Sequence, residues 1–232
     1  MADVLSAVVS LVGPRLSDSG RDWLNGALTT ARSSDVHRLC AAYTAASRKA
    51  GALPLSPTAD ERTRLSAIAP DISLDRWTLA DTVRACLLLA AAEGKDIHTF
   101  AGHAIACFEN GDAQEQQSWL RAISLLPRSD RFTAIAVDAC RSHIQPLFES
   151  IACENPYPFA YFSDRQFNQL VLKAMFTGVR LERIVGLARR VNPDLSRMAR
   201  DYAAERRAAG RSVPADLALA LHDAPALEEH LS

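Results

Sequence analysis

"SLDRWTLADTVRACLLLAAAEG", residues 73–94, decides the fold class. Alanine and leucine fill it, and both favour helix. The apolar run is longer than the roughly 4–8 residues of an ordinary buried strand. Ser73 stands ahead of it as a candidate N-cap, and Gly94 is a stop. Its richest part, "ACLLLAAAEG", is about half the length needed to cross a bilayer. The reading is therefore a long apolar helix of a globular protein.

The same periodicity extends in both directions. Val4, Leu5, Val8, Leu11 and Val12 keep helical spacing up to Gly13-Pro14. A second run covers roughly 19–31. A third follows Ser33 and Asp35 as caps and continues to Gly51. "GALPLSPTADE" then reads as a long loop rather than a domain boundary, and a helix over about 59–69 ends at Pro70. "KDIHTFAGHAIACFENG" is helical and closed by Gly111. "DAQEQQSWLRAISLLP" and "SDRFTAIAVDACRSHI" form a helix pair split by Pro127-Arg128-Ser129, with Ser129 or Asp130 as the second cap.

Alternating β-branched runs are absent. Short helices on short turns imply an all-α fold, an irregular antiparallel helical stack. A solenoid-like arrangement of the HEAT/armadillo kind is its variant, although no strict repeat period argues for a true array. The expectation is one all-helical domain over 1–232, in which 1–146 form the stack and 147–217 pack on it.

Composition narrows the partners. The formal net charge is −1, so global charge recruits neither nucleic acid nor an acidic membrane. The five cysteines, Cys40, Cys86, Cys107, Cys140 and Cys153, form no CxxC pair. They sit mostly among alanines and leucines and read as small buried hydrophobes of a reducing compartment. The N-terminal apolar run carries Asp3 and no basic region, so it reads as a first helix rather than a signal peptide. These features imply a soluble, cytoplasmic protein without a transmembrane segment.

A second stretch is unusual: "FESIACENPYPFAYF", residues 148–162. Aromatics are 6% of the chain, yet five of them fall here. Pro146 should kink or restart the preceding helix. Pro156 and Pro158 argue for a stiff, extended crossing from Glu154 to Phe162. Ser163 or Asp164 then caps "RQFNQLVLKAMFTG", which Gly178 ends. A helix–crossing–helix corner could gather Glu154, Asn155, Tyr157, Tyr161, Asn168, Gln169 and Lys173. Gln169 and Lys173 share a helix face. Aromatic walls with a few convergent polar groups suit a ligand site, and a lysine beside a carboxylate suits acid–base work. The competing reading is a structural corner, in which asparagines, glutamine and tyrosines tie down irregular backbone.

Other constellations are weaker. His98 and His103 are five apart and face different ways on a helix, and no HExxH occurs, so no metal is expected. His143 lies near an apolar stripe and reads as a core histidine. No GxSxG, GxxxxGK[ST] or GxGxxG is present, and no cofactor is implied. Residues 180–211 hold nine arginines against four acids. Asn192-Pro193 opens a helix there, with Leu195, Met198, Ala199 and Tyr202 on its inner face. An exposed charged helix explains this segment, and an anion-reading patch is its alternative.

The order of these words carries a resemblance. "FESIACENPYPFAYFSDRQFNQLVLKAMFTGVRLERIVGL" followed by "NPDLSRMARDYAAERRAAGRSVPADL" resembles the EboA family over residues 147–217. The resemblance implies a place beside the products of the ebo gene cluster, which include a UbiA-like membrane prenyltransferase and a TatD-like hydrolase. The cluster is associated with secondary metabolism and with handling or export of a pigment precursor. No catalytic residue transfers. The implied role is an accessory protein that binds a small metabolite or a partner enzyme. The alternatives are an enzyme acting on an isoprenoid- or sugar-derived intermediate with Glu154 and Lys173 as acid and base, and a pure scaffold.

Overall fold

The computed structural model describes residues 2–222 and is all-α. The chain divides into two compact units, one ending at Tyr157 and one beginning at Pro158.

The first unit holds α1 (Ala2–Val12), α2 (Asp18–Arg32), α3 (Val36–Ala50), α4 (Ala59–Ile68), α5 (Leu79–Ala92), α6 (Ile97–Glu109), α7 (Ala113–Ala122), α8 (Thr133–Ala139) and α9 (Gln145–Ala152). The apolar run quoted first is α5, and it is the centre of the unit. Every residue from Leu79 to Ala92 is buried. Helices α1, α2, α3, α6 and α7 pack around it. Each leucine or valine so enclosed contributes about 1.5–3 kcal/mol of transfer free energy.

Helix α5 starts later than Ser73 suggested. Thr78 is the N-cap, and its hydroxyl accepts from the Asp81 amide while the Asp81 side chain accepts from the Thr78 amide. The reciprocal pair satisfies two otherwise orphaned donors. Residues 77–79 are tied to the preceding loop. The Leu55 amide donates to the Trp77 carbonyl at 2.8 Å, and the Leu79 amide donates to the Leu53 carbonyl at 2.9 Å. Residues 51–58 of "GALPLSPTADE" are thus a loop pinned to the α5 entrance, with Leu55 buried, while Ala59–Glu61 already open α4.

The other caps follow the sequence closely. Asp35 caps α3, and Thr58 with Glu61 closes a capping box on α4. The 127–132 break differs from expectation. Ser129 does not cap α8; its hydroxyl donates to the Ile123 and Leu126 carbonyls and closes the turn after α7. Phe132 takes the N-cap position of α8 without a side-chain cap bond, and its ring joins Phe100 and Trp119 in an edge-to-face cluster with centroids 6.3 and 5.2 Å away. Helix α8 ends at Ala139, so His143 and Ile144 lie on an exposed turn and not in the core stripe. Pro146 then falls in the first turn of α9, where a missing amide costs nothing.

The second unit holds α10 (Tyr157–Tyr161, entered from the first unit), α11 (Asp164–Thr177), α12 (Leu187–Arg190) and α13 (Pro193–Ala208). Helix α11 packs on α13, and the buried Tyr202 hydroxyl of α13 donates to the Met175 carbonyl of α11 at 2.8 Å. Ser163 with Gln166 caps α11, Gly178 ends it in the left-handed region, and Asn192 caps α13.

Candidate functional site

The segment 154–173 is built from the backbone outward. Glu154 leaves α9 with φ +52, a conformation uncommon for a side chain-bearing residue. Its carboxylate is half-buried and stands 3.6 Å from the Arg76 guanidinium. The next residue, Asn155, is 3% exposed, and its amide holds the turn from four sides. Its Nδ2 donates to the Leu120 and Ser150 carbonyls at 2.8 and 3.1 Å. Its Oδ1 accepts from the Ser124 hydroxyl at 2.8 Å and the Tyr157 amide at 3.0 Å. Both donors and both lone pairs of the side chain are thereby used. Tyr157 is fully buried, and its hydroxyl donates to the Ser129 carbonyl at 2.6 Å.

The expected extended crossing is interrupted. Residues 157–161 make a turn of helix, α10. Pro158 occupies its first turn, where φ near −65° suits a helix and no amide is needed. Arg190 receives the open end. Its Nη1 donates to the carbonyls of Pro158, Phe159 and Phe162 at 3.2, 3.1 and 2.8 Å, and its Nη2 meets Asp164 at 2.6 Å. A guanidinium thus supplies the donors that a longer helix would have supplied to its last carbonyls. The same group lies 4.7 Å from the Phe167 ring, and Arg189 lies 4.1 Å from the Phe159 ring. Phe159 rests directly on Gly186, at whose position a Cβ would sit 2.1 Å from the ring.

On α11, Asn168 is buried and exchanges two 3.0 Å hydrogen bonds with Asn192, the cap of α13. Gln169 is exposed and Lys173 is half-buried, one turn apart on the same helix. Tyr161 is 41% exposed. The seven residues named from sequence therefore divide by unit and by duty. Glu154, Asn155 and Tyr157 belong to the first unit, and Tyr161, Asn168, Gln169 and Lys173 to the second. Asn155, Tyr157 and Asn168 fix backbone. Glu154, Tyr161, Gln169 and Lys173 keep surface.

The structure also contains a polar constellation that sequence reading passed over. Arg84, in the middle of α5, is 1% exposed. It donates to the Tyr43 carbonyl at 3.1 Å and the Ser118 hydroxyl at 3.0 Å, and stands 3.5 Å from Glu115. Ser118 donates to Asp81 at 2.6 Å, and Arg121 pairs with Asp81 at 2.8 Å. The Tyr43 hydroxyl donates to the Glu115 carbonyl at 3.0 Å, and burial holds its pKa well above the ordinary value. Such a saturated network fixes the register of α3, α5 and α7. The signal available in sequence was Arg84 and Asp81 inside an otherwise apolar run.

Two features bound the chemistry. Among the described residues, no three His, Cys, Asp or Glu side chains could hold a metal ion, and no helix is long and apolar enough to cross a membrane. What the fold presents is an all-α protein in which each unit braces its own part of the 154–173 segment. The chain belongs to the EboA family: the family model described as metabolite traffic protein EboA matches residues 4–222. The match takes in the N-terminal helices as well as the segment that carried the resemblance. No curated protein and no solved structure gave a significant match.

Proposed function

We propose that this chain is an accessory protein of an ebo-type secondary-metabolite pathway. It binds a small metabolite or a partner enzyme of that pathway and assists processing or transport of a precursor. The family's description as a metabolite traffic protein supports the general role. The observation that carries the site is the division of duty within 154–173. Asn155 and Tyr157 in the first unit and Asn168 in the second spend their polar atoms on backbone or on a partner amide, which braces each unit's own part of the segment. In the second unit Tyr161, Gln169 and Lys173 retain surface and offer a phenol, an amide and an ammonium, and in the first unit Glu154 keeps a half-buried carboxylate. Within the second unit, Tyr161 on α10 with Gln169 and Lys173 on α11 are held by helices, which lowers the ordering cost of binding.

The test separates binding from folding. Gln169→Ala and Lys173→Ala should each reduce capture of a pathway intermediate or partner by about tenfold, equivalent to about 1.4 kcal/mol. Native mass spectrometry against the intermediates and purified cluster proteins reads the capture, and circular dichroism reads the fold. Variants that remain folded and bind as the parent does would remove the site from consideration.

A further inference from the structure

Cys40 and Cys107 are 67 residues apart, yet their sulfurs are 3.7 Å from each other. Cys40 lies on α3 and Cys107 on α6, and both helices pack against α5 and against each other. The distance is therefore set by packed elements rather than by a loop. The two thiols differ in access. Cys107 is 2% exposed, whereas Cys40 is partly open to solvent. A reachable sulfur in contact with a hidden one is the arrangement of an attacking and a resolving thiol.

Electrostatics agree with that order. A hydrogen bond from the Cys107 thiol draws the Cys40 pKa down to about 7, while the same bond and burial push Cys107 up. One turn before Cys107, on the same face of α6, stands His103. Its Nδ1 is buried and has no hydrogen-bond partner among the described residues. Burial and the Lys95 charge lower its pKa against the pull of Asp35, which favours a neutral imidazole able to take a proton. Cys86 differs: it is enclosed in α5, and burial alone drives its thiol up.

We propose that Cys40 and Cys107 form a thiol–disulfide exchange site for low-molecular-weight disulfides. The Cys40 thiolate attacks one sulfur of the disulfide RSSR. That S–S bond breaks, a Cys40–SR bond forms, and RS⁻ leaves and takes up a proton. Cys107 then gives up its proton and attacks the Cys40 sulfur. The Cys40–Cys107 bond forms, and the second RS⁻ leaves and is protonated. Two protein thiols are oxidised by two electrons, and RSSR is reduced to two RSH. The crosslink ties α3 to α6 and closes the 67-residue separation, which restricts the unfolded chain.

The probe is oxidised glutathione, applied to the full folded chain at neutral pH, with alkylation and peptide mapping over time. Wild type should show glutathione on Cys40 first and then a Cys40–Cys107 crosslink, with a raised Tm. Cys40 should be the first cysteine of the folded chain to take up glutathione, because it is the more reachable sulfur of the pair and its pKa is lowered. Cys107→Ser should accumulate glutathione on Cys40 that never resolves. Cys40→Ser should leave Cys107 unmodified. Modification of Cys140 ahead of Cys40, or a wild-type mixed disulfide as long-lived as that of Cys107→Ser, overturns the proposal. Should Cys107→Ser not fold by circular dichroism, the wild-type time course decides: an adduct on Cys40 that never becomes the crosslink also overturns it.

Discussion

Replacing Gly186 with alanine tests the geometry of the second unit at one carbon atom. Gly186 has φ +73, so any side chain there adopts the left-handed region at a cost of about 1–2 kcal/mol. The new methyl would also stand 2.1, 2.6 and 2.8 Å from three carbons of the Phe159 ring. Carbon contacts are comfortable near about 3.5–4.0 Å, so the ring must leave its place. Overpacking of this kind costs about 1–3 kcal/mol. The expected total is about 2–5 kcal/mol. Gly178 is the internal control, because it has the same φ of +73 and no atom within 4 Å of a Cβ. Gly178→Ala should therefore lose only the backbone part, about 1–2 kcal/mol. The difference between the two variants measures the contact with Phe159. Urea unfolding followed by far-UV circular dichroism reads both. In a Phe159→Ala background, Gly186→Ala should become cheaper by about 1–3 kcal/mol. Equal losses at both glycines, or no change in that background, would refute the seating of Phe159 on Gly186.

Three further outcomes follow from the same structure. Asn155→Ala should cost at least about 2 kcal/mol in denaturant unfolding, because it strands the Ser150 carbonyl and the Tyr157 amide, while the Leu120 carbonyl keeps the Ile123 amide; a loss below about 1 kcal/mol would mean water replaces the side-chain amide. Arg84→Met should cost about 3–5 kcal/mol by leaving Glu115 buried without its cation, and the added change Glu115→Met should recover much of that loss in the same assay. Glu61 is held at about 2, below its ordinary 4.5, first by the hydrogen bond from Arg15. Its contribution is complete above 4.5 and disappears as pH falls toward 2, so Arg15→Ala should flatten this part of an acid titration of Tm.

The fold class was legible because helix signals are local. Asp35, Ser163, Asn192 and Gly178 announced their caps within four residues of the helices they bound. Where the reading slipped, two local rules competed. Ser73 and Thr78 have the same capping chemistry, and Asp81 three residues after Thr78 decides between them. Pro156 and Pro158 read locally as helix breakers, but proline in a first turn is compatible with a helix, and α10 uses Pro158 so. The interior of the candidate segment was legible as residue types and not as duties. Whether Asn155 serves a ligand or the Leu120 carbonyl depends on α7, 35 residues earlier. The Arg84–Glu115 pair and the Cys40–Cys107 contact are long-range in the same sense, since each partner looks ordinary within its own helix.

The placement of α5 has a consequence for synthesis. Helices α1, α2 and α3 emerge from the ribosome before the segment they enclose. Until residue 92 has cleared the exit tunnel, the sides of these helices that face α5 lack their native partner and are open to chaperones or to other chains. Slow translation across residues 51–78, which include α4, would lengthen that interval. The arrival of one fourteen-residue helix ends it, so the N-terminal helices of the first unit wait on a segment in the middle of the message.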